Sequence, residues 1–145
     1  MPHIFDKMTG IMKKINYVKI LLLTTLLWGF TSCESDHTIF DDLVGRTWVG
    51  DLGFNYGDAP VESGISFSSD GFATDNQYYF PEDGGRFATS LPIRWRIEYG
   101  TLYLDYGNRY PMLEIRGVDI SGPNLRGRLY ADGVDEGNIT LTMRY

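Results

Sequence analysis

From Leu43 onward apolar and polar residues alternate with a period of two, and that alternation confines the chain to a sheet. Ile65 and Phe67 alternate with Gly64, Ser66 and Ser68; Trp95, Ile97 and Tyr99 with Arg94, Arg96 and Glu98. Leu102 and Leu104 then alternate with Thr101, Tyr103 and Asp105, Leu113 and Ile115 with Glu114 and Arg116, and Ile139, Leu141 and Met143 with Thr140, Thr142 and Arg144. Leu125 and Leu129 flank Gly127, with Arg126 and Arg128 on the opposite side. Successive side chains of a strand point to opposite faces, so each run reads as a half-buried antiparallel strand with one wet face.

The punctuation agrees. Asp70-Gly71, Asp83-Gly84-Gly85, Gly107-Asn108, Ser121-Gly122-Pro123-Asn124 and Asp132-Gly133 fall between the runs, where hairpin turns belong. The strand candidates are 47–52, 64–68, 72–80, 86–91, 94–99, 101–106, 112–118, 124–130 and 138–145, about eight strands once one or two merge. After Cys33 helical periodicity is confined to residues 39–43, one turn at most. Short strands joined by glycine turns make an all-β barrel or sandwich.

Ahead of this domain the composition changes at Cys33, the only cysteine. All four lysines (Lys7, Lys13, Lys14 and Lys19) precede it. An apolar run from Ile20 to Phe30 follows them, about 16 Å long as a helix at about 1.5 Å per residue. That is about half the ~30 Å a bilayer demands, so a permanent transmembrane helix is disfavoured. A basic stretch, an apolar stretch and small residues before a cut are the parts of a secretory leader. Met12-Lys13-Lys14, the apolar run and Phe30-Thr31-Ser32-Cys33 together resemble a bacterial lipoprotein signal sequence. The resemblance implies a signal peptide over residues 1–32, with a true start at Met12, and a lipid on Cys33 that anchors the chain in the cell envelope, at the outer membrane. Phe30 stands where such signals usually carry leucine. The other reading of Cys33 is an incidental thiol behind an ordinary leader. Glu34, Ser35 and Asp36, with Asp41 and Asp42, make residues 33–42 an acidic tether; acidic residues here also resemble the surface-export signal of some Gram-negative lipoproteins, and the periplasmic and surface faces both remain open.

Leu43, Gly45 and Trp48, then Phe67-Ser68-Ser69-Asp70-Gly71, Trp95-Arg96-Ile97 and Leu102-Tyr103-Leu104, occur in the order found in small lipocalin-like bacterial lipoproteins, which residues 43–145 resemble. The resemblance implies an antiparallel up-and-down barrel of about eight strands with Trp48 at its floor. Among the side chains that the alternation turns inward, Trp48, Phe67, Trp95 and Leu104 are the candidates to line a ligand site. An eight-stranded barrel is just wide enough for side chains to fill or for one small ligand. Trp48, Phe67, Trp95, Ile97, Leu104, Ile115 and Leu141 could occupy most of that space, so the plain-core reading of these residues is favoured over the pocket reading.

Charge and residue content limit the chemistry. Beyond Ser32 the chain carries nine arginines, no lysine and eighteen Asp and Glu. Nucleic-acid binding needs basic patches that neutralise phosphates, so a nucleic-acid partner is not expected. The domain proper holds no cysteine and no histidine, since His37 lies in the tether and His3 in the leader. Zinc binding, and nucleophilic catalysis by cysteine or by serine with histidine, therefore lack their residues, and no cofactor, metal or catalytic residue is expected. The acidic loop 132–138 could offer oxygen ligands to calcium but reads as a hairpin turn. Arg94, Arg96, Arg116, Arg126 and Arg128 line the polar face beside Glu98 and Glu114, as cross-strand ion pairs or, less favoured, an anion-binding patch. Two aromatic stretches, 53–60 and 76–81, could present a binding surface. Three functions are compatible with this content. The first is a non-enzymatic barrel that binds a small hydrophobic ligand or an envelope partner. The second is a structural or accessory lipoprotein with a filled barrel that acts by protein contact. The third and most remote is a carboxylate-based hydrolase.

Overall fold

In the computed structural model, which describes residues 35–144, one helix precedes nine strands. In order these are α1 (Asp36–Leu43), β1 (Thr47–Gly50), β2 (Asn55–Tyr56), β3 (Ala59–Phe67), β4 (Phe72–Tyr79), β5 (Phe87–Glu98), β6 (Thr101–Asp105), β7 (Leu113–Ser121), β8 (Asn124–Ala131) and β9 (Val134–Arg144). From β3 to β9 each strand pairs antiparallel with the next, and β1 closes the ring between β9 and β3. The result is an eight-stranded up-and-down barrel, with the two-residue β2 added at β3 outside the ring; the alternation leaves barrel and sandwich both open, and the up-and-down barrel is what the resemblance implies.

Of the strand boundaries that differ from the sequence reading, three have a clear local reason. Candidates 86–91 and 94–99 are a single strand, β5, running straight through Pro92. Trp95 donates its backbone amide to the Gly71 carbonyl on the β4 side, so by alternation the Pro92 nitrogen faces β6. There β6 pairs no further than Arg94 with Asp105, and no ladder bond is lost at the proline. β9 starts at Val134 rather than 138 because Asp132 and Gly133 both take positive φ, 48° and 80°, in a tight two-residue turn that lets pairing begin at once. β3 starts at Ala59, since Val61 and Ser63 continue its inward phase.

The helix is also longer than one turn, and it occupies most of the stretch read as a tether. Ser35 caps its N-terminus, accepting the Thr38 amide on its hydroxyl at 3.3 Å. Ile39 and Leu43, one helical turn apart, are buried in the barrel core, and Phe40 stacks on Trp95 with ring centres 5.0 Å apart. The Asp36 carboxylate accepts the backbone amides of Tyr99 and Gly100, both at 2.8 Å. α1 thus fastens onto the end of the barrel at which the β5–β6 turn lies. Below it, Trp48, Ile65, Leu102, Leu104, Ile115, Leu125 and Leu141 are fully buried in a single core.

A candidate site at the cleft end of the barrel

The four residues expected to line a ligand site sit inside this core. Trp48 and Leu104 are fully buried, and Phe67 and Trp95 nearly so. Phe67 meets Trp95 edge-on at 5.0 Å, and the Trp95 indole N–H is shared between the carbonyls of Ser68 and Phe72 at 3.1 Å each. With Phe40 they form one aromatic cluster beneath α1. None of the four borders either of the two surface grooves described below. Cys33 lies outside the described residues.

A polar constellation that the sequence reading passed over lies deeper. Asp75 of β4 is wholly buried, and its Oδ2 accepts three hydrogen bonds: from the Ser63 hydroxyl at 2.9 Å, the Gln77 amide at 3.0 Å and the Tyr106 hydroxyl at 2.8 Å. Tyr106 follows β6, so the cluster ties β3 and β4 to a strand beyond their neighbour β5. Burial first, and the facing Asp75 second, push the Tyr106 phenol well above its ordinary 10.0, so it stays protonated and donates. Asp75 Oδ1 and Trp48 Nε1 have no hydrogen-bond partner among the described residues. Sealed from solvent, this arrangement gives a substrate no approach. Its chemistry is to hold strands together.

Phe54 roofs the cluster, 4.8 Å from the Tyr106 ring and 5.9 Å from Tyr110. Beside this roof the barrel wall is incomplete. β1 ends at Gly50, and its pairing with β9 covers only Thr142 to Arg144. Beyond that point β9 keeps β8 on one side and faces a cleft of about 670 Å³ on the other. Asp51 to Asn55 form one wall of the cleft, Glu136 and Asn138 to Thr140 the other, over a floor that includes Leu113 and Leu129.

The two aromatic stretches meet near this end. Tyr56 of the first contacts Tyr79 of the second edge-on at 6.4 Å, whereas Gln77 turns into the core and Tyr78 packs outside against Phe87 at 5.5 Å. A second groove, about 570 Å³, runs along the outer face of β1, β3 and β4 and is bordered by Gly64, Tyr78 and the ion-paired Glu62 and Arg144.

The arginine face is mostly neutralised, but less by cross-strand pairs than expected. Arg96 binds Glu98 at 3.1 Å and Arg116 binds Glu114 at 2.8 Å, each two residues along its own strand. Arg128 reaches across from β8 to Asp135 of β9 at 2.7 Å, which holds that carboxyl below its ordinary 3.8. Arg94, Arg96 and Arg116 also lie over the rings of Phe72, Tyr103 and Tyr130. Loop 132–138 is the β8–β9 turn and the start of β9, where Asp132 accepts the Met112 amide at 2.8 Å. No known protein family, no curated protein and no solved structure matches the chain.

Proposed function

We propose that this chain is a lipid-anchored, non-enzymatic protein of the bacterial cell envelope that acts by contact with another envelope protein, its barrel serving as a filled scaffold. The observation that carries this reading is the interior. Trp48, Ile65, Leu102, Leu104, Ile115, Leu125 and Leu141 are fully buried against one another, and α1 lies over one end with Ile39 and Leu43 in the core. A lipocalin-like barrel that carried a small hydrophobic ligand would keep that space open. The surface features are those of a contact protein: a cleft at one end, and the exposed aromatics Tyr56, Tyr78 and Phe87. Cys33, behind Phe30-Thr31-Ser32, supplies the anchor.

Native mass spectrometry of the chain purified from membranes tests both parts. The expected mass is that of the acylated chain with no small molecule retained, and Cys33→Ala abolishes incorporation of radioactive fatty acid. A co-purifying hydrophobic compound would return the ligand reading, and label that persists in Cys33→Ala would remove the anchor.

A further inference from the structure

Where β1 stops, β9 presents backbone groups that pair with no strand among the described residues. Met143 donates its amide to the Pro123 carbonyl, on the β8 side, at 2.7 Å. Groups alternate along a strand, so Thr142, Thr140 and Asn138 direct theirs the other way. Thr142 faces Val49 of β1. Thr140 and Asn138 have no facing strand among the described residues, and both line the cleft. The Thr140 carbonyl lies so near Gly50 that a Cβ there would come within 2.8 Å of it, which confirms the direction in which it points.

We infer that an extended segment of the partner protein, with alternate apolar side chains and basic flanks, enters this cleft and pairs with β9 along Asn138–Thr140, completing the barrel wall. The inference rests on the contact reading above and names what that contact recognises. A strand added to an open sheet edge gains affinity from main-chain hydrogen bonds and selectivity from pockets for alternate side chains. Here the edge supplies both backbone groups of Asn138 and the N–H of Thr140, the Thr140 carbonyl being covered by Gly50. The pockets lie over Leu52, Leu113, Leu129 and Ile139, which line the cleft together with Phe54.

Charge selects the partner. Asp51 and Glu136 border the cleft and no arginine does. Glu136 makes no ion pair among the described residues. An acidic rim in an acidic domain favours a segment carrying lysine or arginine. The same charge disfavours a second copy of this chain, since pairing β9 with β9 would set two acidic rims face to face. β9 is guarded only at its start, where Asp135, Glu136 and the positive-φ Gly137 break the edge in the manner of protected strands. Residues 138–140 carry no such guard.

The test uses the full chain in detergent micelles and a short acetylated peptide in which valines alternate with threonines between terminal lysines. Binding is read by tryptophan fluorescence, and amide exchange is followed at Asn138 and Thr140. The peptide is expected to bind and slow exchange at both amides. Its backbone N-methylated twin, which lacks the donors, is expected not to bind. Thr140→Pro removes an amide that faces the cleft rather than β8 and is expected to weaken binding at least ~10-fold, whereas Thr140→Ala leaves it unchanged. Equal binding of the N-methylated twin, dimerisation through this edge, or no binding at millimolar peptide would overturn the inference. If the peptide fails while native mass still shows no retained ligand, strand pairing is wrong and the contact reading stands. A retained ligand removes the contact reading itself.

Discussion

At the scale of single residues, Asp75 shows how far alternation could be read. Ala73, Asp75 and Gln77 share the buried phase of β4, whereas the bulkier Phe72 and Tyr78 of the other phase are exposed, so alternation alone does not place the aspartate and the glutamine on the inner face. Nor does it reveal the partners. Ser63 and Tyr106 lie 12 and 31 residues away and meet Asp75 only when the sheet curls on itself. Tyr106 makes the cluster sensitive to alkali. In the unfolded chain its phenol titrates near 10; in the fold, burial and Asp75 raise it well above that value. The stabilising contribution is therefore complete below about pH 10 and declines as pH rises further, because only the unfolded chain then gives up the proton. Tyr106→Phe is expected to cost about 1–3 kcal/mol near neutrality, by removing a hydrogen bond to a buried carboxylate, and to make the loss of stability above about pH 10 less steep. Urea unfolding of both forms near pH 7 and near pH 11 checks this; parallel losses would mean that Tyr106 does not hold its proton in the fold.

At the scale of elements, the strands were legible because each carries its own evidence of alternation and a glycine turn. The helix was not. α1 is eight residues long, and isolated helices of that length are marginal, so it exists through Ile39, Leu43 and Phe40 docking on a barrel not yet formed at the level of sequence. The ligand residues named from the sequence failed to separate from core for a related reason: alternation tells which side chains point inward, not whether they leave room. The shortest strand of the ring controls closure. β1 has four residues and joins β3 to β9, and at Gly50 an added Cβ would lie 2.5 Å from Leu141 Cδ2 and 2.8 Å from the Thr140 carbonyl. A backbone oxygen cannot step aside as a side chain can, so Gly50→Ala is expected to lever β1 from β9 at a cost of about 1–3 kcal/mol. Thermal unfolding measures the loss, and amide exchange should quicken first at Val49 and Thr142, which face each other across that seam. An alanine variant as stable as the parent would show that β1 and β9 have slack that the close approach at Gly50 denies.

At the scale of the whole molecule, the two ends of the barrel differ in what they are joined to. Asp36 is bonded to the β5–β6 turn, whereas Phe54, Tyr110 and the cleft lie at the other end of β6, a strand of five residues and about 17 Å at 3.4 Å per residue. With Cys33 acylated as proposed, three residue steps separate the lipid from Asp36, a reach of at most ~10 Å. The helix end would then stay near the bilayer while the cleft faced away from it, open to a partner. Tyr99 is the side chain best placed to report this. It is 99% exposed, stands at φ 50° in the turn that Asp36 holds, and offers an amphipathic ring of the kind that settles at lipid headgroups. Fluorophores attached at Tyr99→Cys and at Tyr110→Cys, with the acylated chain on vesicles carrying a headgroup quencher, are expected to be quenched strongly at the first position and weakly at the second. Equal quenching, or the reverse order, would mean that the barrel lies on its side or hangs free of the surface. The cleft would then have to compete with the membrane for its strand.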